Sequence, residues 1–220
     1  MKLPLSLLKS FLDISLEPSK IAETLTLLGI EVDAIEQESP SSDPVFELSL
    51  TPNLGYCLSA KGVARELAAF LNLPLKPFAE PVLFSKLPSP FSVSIEEPSL
   101  CPRYMGQAFE NVQIGPSPLW LQETLNAAGM RPINNAVDIT NYILLKWGQP
   151  MHAFDADLLD GKTIQIGLAK EECPFLGLDD IERSIPKGAL LICDSQKIVA
   201  LAGIMGAKNS EASEKTKNIF

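Results

Sequence analysis

DITNYILLKWGQPMHAFD, Asp138–Asp155, is the stretch around which the rest of the chain falls into place. Its first half reads as one short helix. Ile139, Tyr142, Ile143, Leu145 and Trp147 carry more apolar surface than a one-sided surface helix needs, which predicts burial on most faces. Gly148 ends the helix just past its last turn, where a left-handed backbone favours glycine. Gln149-Pro150 then forces an extended segment, because proline disfavours helical geometry in the residue before it. That segment delivers His152, the single histidine of the chain, just ahead of Phe154 and Asp155. A polar pair, Thr140-Asn141, lies upstream on the helix, and Arg131 lies further back.

Towards the N-terminus, Leu3–Leu12 reads as an apolar helix and a second one follows Glu17-Pro18. Proline suits a first helical turn, where its missing N–H has no partner to lose. Gly29 closes the second helix, and Ile30–Ile35 alternates apolar with acidic residues, as a half-exposed strand does. Val45–Leu50 is a second alternating strand, and a helix over residues 59–71 follows, with Val63, Leu67, Phe70 and Leu71 on its inner face. These elements make an N-terminal unit of residues 1–80, followed by a proline-dense linker over residues 81–90.

The second expected unit is residues 91–220. It opens on a strand at Phe91 and carries another at Gln107–Val112. Ser117-Pro118 is expected to cap a helix that Gly129 ends. Beyond the central stretch, strands are expected at residues 163–169, 174–178, 189–193 and 197–201, with a short helix capped by Asp155 at residues 156–159. They run into AGIMGA, Ala202–Ala207, whose small residues allow a backbone to approach a ligand closely. Short strands mixed with segregated helices give the fold class α+β.

Composition narrows the function. A formal charge of −9 and the absence of a Lys/Arg cluster disfavour tight RNA binding by this chain alone, since cations on phosphate dominate such affinity. No run approaches the roughly 18–20 apolar residues of a membrane span. MKLPLSLLKSFLD is broken by Lys9 and Asp13, so it reads as a packed element rather than a signal peptide. Four scattered cysteines and one histidine are poor material for a metal site, and they suit reduced, mostly buried thiols of a cytoplasmic protein.

Five phrases then appear in order: GIEVDAIE at Gly29–Glu36, SLTPNLGYCLSAKGVARELA at Ser49–Ala68, CPRYMG at Cys101–Gly106, the run from Pro118 to Asp155, and LAGIMG at Leu201–Gly206. Together they cover nearly the whole chain. They resemble the β-subunit of bacterial phenylalanyl-tRNA synthetases, in the part carrying the B1 and B3/B4 editing regions. The resemblance implies a small α/β B1-like unit followed by a B3/B4-like domain. It also implies a tRNA-binding OB-fold inserted near residues 38–44, where this chain has only a short bridge. The family's partners would be an α-subunit, in an α2β2 heterotetramer, and the 3′ end of tRNA(Phe). ATP and Mg²⁺ would serve the parent ligase, with no cofactor held by this stretch.

An apolar phenylalanine pocket discriminates weakly against an added hydroxyl, so accuracy calls for a second site that hydrolyses mischarged Tyr-tRNA(Phe). By resemblance, that editing pocket is lined by Arg131, Thr140, Asn141, Pro150, Met151, His152, Gly206 and Ala207. Thr140 and Asn141 would supply hydrogen-bonding groups to the aminoacyl moiety, Pro150 and Met151 a wall, and His152 a contact to the terminal adenosine or ester. Arg131 would hold the 3′ end. Ala207 departs from the second glycine common in the family, which would narrow the pocket. By family spacing, a glutamate that meets the tyrosine hydroxyl follows the last residue, so weak editing by this chain alone is expected. No residue is assigned as catalytic.

Each of these residues also has a purely structural reading. A lone histidine is usually packed in place, Thr140 and Asn141 can bond their own helix, and Arg131 can be a salt-bridge partner. The alternative function is a non-catalytic scaffold or subunit-interaction module of the same synthetase.

Overall fold

The computed structural model describes residues 1–39, 41–77 and 89–220. The fold is α+β and divides into two compact units: Met1–Val82 with Pro116–Met151, and Leu83–Gly115 with His152–Phe220. This cut differs from the sequence-based division at residue 91. The two helices of residues 116–151 bury Leu121, Leu125 and Leu145, and Leu145 sits in the core built by the N-terminal residues. The expected linker lies almost wholly outside the described residues.

In the first unit, β1 (Lys2–Pro4), β2 (Glu31–Glu36) and β3 (Val45–Ser49) form an antiparallel sheet of order β1-β3-β2. The expected helix from Leu3 is therefore shorter. Its first residues pair Lys2 with Glu47 and Pro4 with Val45, and only Leu5–Lys9 (α1) is helical. Long-range pairing wins over local propensity here because Leu3 and Phe46 are both fully buried. The bridge over residues 37–44 joins β2 and β3 as direct antiparallel neighbours, Glu36 opposite Val45.

Helix α2 is Pro18–Leu27, and Gly29 leaves it at φ 82°. Helix α3, Ala60–Leu71, is capped by the Ser59 hydroxyl, which accepts the Gly62 N–H. Gly62 itself has no room for a side chain, since a Cβ would stand 1.9 Å from the Tyr56 carbonyl oxygen. Phe70, expected on the inner face of α3, is 52% exposed.

Helix α4 is Leu119–Ala127, with Pro118 rather than Ser117 in the cap position. The Ser117 hydroxyl is committed elsewhere, to Asp138. Helix α5 is Asn135–Trp147, three residues longer at its start than expected, because the Asn134 side chain accepts the Val137 N–H. Gly148 ends it at φ 75°. The helix is less enclosed than its composition implies. Leu145 is buried where α5 packs in the first unit, but Ile139 is 52% exposed. Trp147 packs edge-on against Phe11 at 5.2 Å.

In the second unit, β4 (Ser92–Ile95) and β5 (Thr163–Leu168) pair in parallel, and β5 continues a five-stranded sheet. β8 (Leu190–Cys193), β9 (Ile198–Leu201) and β10 (Met205–Gly206) complete it, in order β10-β9-β8-β5-β4. A separate hairpin joins β6 (Cys173–Leu176) to β7 (Glu182–Ile185). The sequence reading missed β7 because ERSI offers only one strongly apolar residue, Ile185, and that residue is buried. The expected strand at Gln107–Val112 reduces to a bridge between Phe109 and Ile219 and one further bond, from the Val112 N–H to the Lys217 carbonyl. Ile164, Ile166, Val199, Phe154 and Phe220 form the centre of the unit's main core. No helix among the described residues is long and apolar enough to cross a membrane.

Candidate functional site

In the second unit, the His152 ring lies on the bare Cα of Gly206. A Cβ built on that glycine would stand 2.4 Å from His152 Cε1, 2.8 Å from Nε2 and 2.9 Å from Leu178 Cδ1. Real Cβ contacts do not come that close, so only glycine fits between the imidazole and Leu178. Three local features fix this arrangement. Gly206 pairs with Ala200 in the β10–β9 ladder. The Leu178 N–H donates to the Gly206 carbonyl at 3.1 Å, tying the β6–β7 hairpin tip to the same strand. The His152 ring also meets Phe154 edge-on at 4.4 Å, and Phe154 is anchored by mutual backbone bonds with Phe220.

Protein crowded around the imidazole disfavours its charged form and lowers the His152 pKa from the usual histidine value, although solvent still reaches part of the ring. The shift favours the neutral ring, one of whose nitrogens can accept a hydrogen bond. Ala207 behaves differently from its neighbour. Only 2% exposed, its methyl belongs to a cluster with Phe175, Ile185 and Leu191, and its N–H donates to the Val199 carbonyl. Its methyl therefore belongs to the core.

Asp155 accepts the Asp157 N–H and the Thr216 hydroxyl, and it caps a single 3₁₀ turn, Ala156–Leu158. This is the structural role expected of it. Two of the thiols make poor nucleophiles. Burial, reinforced by Asp194, pushes the Cys193 pKa up, and burial does the same to Cys57. All four cysteines are free, Cys57 buried and the other three half-buried.

In the first unit, α5 carries Thr140 and Asn141. The Thr140 hydroxyl donates to the Val137 carbonyl at 2.7 Å, so its proton is spent and its oxygen can only accept from a ligand. The half-buried Asn141 side chain has no hydrogen bond among the described residues, which leaves its carboxamide able to donate or accept. Arg131 is exposed and has no ion pair among the described residues. Pro150 and Met151 are both exposed at the end of this unit. The structure thus brings His152 and Gly206 into direct contact and places Arg131, Thr140, Asn141, Pro150 and Met151 in the other compact unit.

Two residues, one in each unit, went unread in the sequence. Leu178 reads as the end of an ordinary strand, and only the hairpin's return to Gly206 reveals it. Asp138 opens the central stretch as an unremarked helix residue, yet it is fully buried. A carboxylate between Val137 and Ile139 at the head of an apolar helix was the available signal.

The model of the B3/4 domain family matches residues 100–220. The chain belongs to that family. Every candidate residue from Arg131 to Ala207 falls inside the B3/4 match. Among curated relatives, the chain is 48% identical over 189 residues to the phenylalanine–tRNA ligase β-subunit of Carboxydothermus hydrogenoformans, covering 86% of this chain and 24% of that one. It is 49% identical over 193 residues to the same subunit of Geobacillus kaustophilus, covering 87% of this chain and 24% of the relative. The chain therefore spans about a quarter of the length of these relatives. A crystal structure of an N-terminal fragment of the phenylalanyl-tRNA synthetase β-subunit from Pyrococcus horikoshii shares the fold, with a TM-score of 0.50 at 16% identity, covering all of this chain and 66% of that one.

Proposed function

We propose that this B3/4 chain supplies the editing function of a phenylalanine–tRNA ligase β-subunit: hydrolysis of tyrosine from mischarged tRNA(Phe). The observation that carries the reading is the imidazole of His152 seated on Gly206, a contact that only glycine permits. In hydrolysis, a water oxygen attacks the ester carbonyl carbon, the carbon–oxygen bond to the ribose breaks, and a proton passes to the leaving ribose oxygen. The protein's task is to hold that water and ester in place and to favour the developing charge.

Taken unit by unit, the side chains have chemistry suited to parts of this substrate. Neutral His152 accepts a hydrogen bond from the attacking water or a ribose hydroxyl. Thr140, its own proton spent on Val137, accepts from the amino acid's ammonium group, and Asn141 serves either polarity. Arg131 meets a phosphate of the tRNA 3′ end, and Met151 and Pro150 offer apolar surface to the phenol. In the whole ligase, ATP and Mg²⁺ would act in aminoacylation, and an α-subunit would complete an α2β2 assembly.

The test uses the fact that the chain has one histidine. Titrating 3′-tyrosylamido-3′-deoxyadenosine should shift the His152 ring resonances saturably, and His152→Ala should weaken binding. Deacylation of Tyr-tRNA(Phe) by the chain, measured beside a full-length relative, then gives its share of the activity. Unmoved His152 resonances at millimolar analogue would defeat the proposal. A scaffold role is favoured by a separate observation: Leu119, Trp120 and Ile139 on α4 and α5 are all more than half exposed. Retained subunit assembly with no analogue binding would support it.

A further inference from the structure

We propose that Asp138 is the positioning residue for phosphate capture by Arg131, an inference that rests on the editing reading. Asp138 is 0% exposed, and a carboxylate that far from water persists only where hydrogen bonds hold it. One oxygen accepts the Ser117 hydroxyl at 2.5 Å, and the other accepts the Ile133 N–H at 2.8 Å. A single side chain in the first turns of α5 thereby fastens the segment ahead of α4 and the turn ahead of α5.

That turn carries Arg131 two residues before the pinned Ile133 amide. Its other end is fixed by the Asn134 cap on Val137. Arg131 itself is exposed and has no ion pair among the described residues, so nothing on its own side chain sets where its guanidinium stands. The backbone beneath it does. Thr140 and Asn141 follow on the same helix within one turn of Asp138. The carboxylate therefore fixes the backbone two residues beyond Arg131 to the helix that carries the polar pair at residues 140 and 141. A ligand with an anionic phosphate at one end and an amino-acid ammonium at the other would read that spacing. A purely structural carboxylate would hold the unit together without affecting how phosphate is recognised.

The experiment compares two probes on the full chain: 3′-tyrosylamido-3′-deoxyadenosine and the same molecule bearing a 5′-phosphate. Wild type should bind the phosphorylated probe more tightly, and Arg131→Ala should erase that preference. Asp138→Ala should erase it too, with affinity for the phosphorylated probe falling on the order of ten- to a hundredfold. Asp138→Asn can accept from Ile133 and donate to the Ser117 oxygen, so it should restore most of the preference. Should Asp138→Ala prove unfolded, Ser117→Ala removes one anchor only and should give a partial loss. A folded Asp138→Ala or Ser117→Ala chain that keeps the full phosphate preference would overturn the positioning role while leaving the editing reading intact. Wild-type protein that binds neither probe would overturn both.

Discussion

Replacing Gly206 with alanine tests the contact at the centre of the second unit. The new methyl carbon would stand 2.4 Å from His152 Cε1 and 2.9 Å from Leu178 Cδ1, so at least one neighbour must retreat by about 1 Å to reach ordinary contact. Leu178 is held through its own N–H to the Gly206 carbonyl, whereas the His152 ring borders solvent. With the Leu178 methyl giving way by less, the imidazole, the closer of the two, is therefore the group that yields most. Swinging outward forfeits its edge contact with Phe154, worth about 0.5–1.5 kcal/mol. The fold should survive with a loss of about 1 kcal/mol, measured by urea unfolding.

The sharper readout is the titration of the single histidine. In wild type, desolvation depresses the folded-state pKa, so the unfolded chain binds its proton first. The neutral ring costs nothing at pH values above the unfolded histidine pKa. Stability declines as pH falls through that value towards the lowered folded one. In Gly206→Ala the ring is rehydrated, its pKa should rise towards the ordinary value, and this acid-side decline should shrink. NMR of the ring protons across pH 4–8 decides the matter. An unchanged His152 titration in a folded variant would refute the argument that the bare Cα seats the imidazole.

Other substitutions probe the supports of this arrangement. Gly106→Ala places a Cβ 2.0 Å from the Phe220 ring and should cost about 1–3 kcal/mol of stability as the ring leaves its cluster, read by denaturant midpoint. Thr216 is only 2% exposed and donates its hydroxyl to Asp155, so Asp155→Ala should cost about 1–3 kcal/mol by orphaning it. Thr216→Val in the same assay should cost a similar amount, because it takes the hydroxyl away from the Asp155 carboxylate and the Ser213 N–H. At the hairpin tip, the Arg183 guanidinium holds the Asp179 pKa at about 2, well below the usual carboxylate range. Its stabilisation is complete above the unfolded value near 3.8 and is lost as pH falls towards 2. Asp179→Asn should therefore remove part of the acid-induced change between those values, followed by circular dichroism.

Local chemistry made much of this chain legible. Glycines 29, 129 and 148 adopt the positive φ that helix ends favour, so those helix ends were read from composition alone. The alternation of Glu31–Glu36 and of Val45–Ser49 announced two strands, and the apolar runs at Thr163–Leu168 and Leu190–Cys193 announced a sheet core. His152 and Gly206 were both singled out as site residues by the family resemblance; by itself a lone histidine reads as packed in place and a small-residue loop as a turn.

What the sequence could not decide were features set by partners distant along the chain. Lys2–Pro4 is a strand because residues 45–47 stand beside it, and no helix propensity records that. Ser117 abandons helix capping because a buried carboxylate 21 residues away takes its hydroxyl. Residues 116–151 join the N-terminal core because Leu145 finds its apolar neighbours there, although sequence order alone assigns them to the second unit. Periodicity and caps act within a few residues and are written locally. Hydrogen-bond partners, burial and the backbone contact between His152 and Gly206 depend on which surfaces meet, and that is settled only when the whole chain has folded.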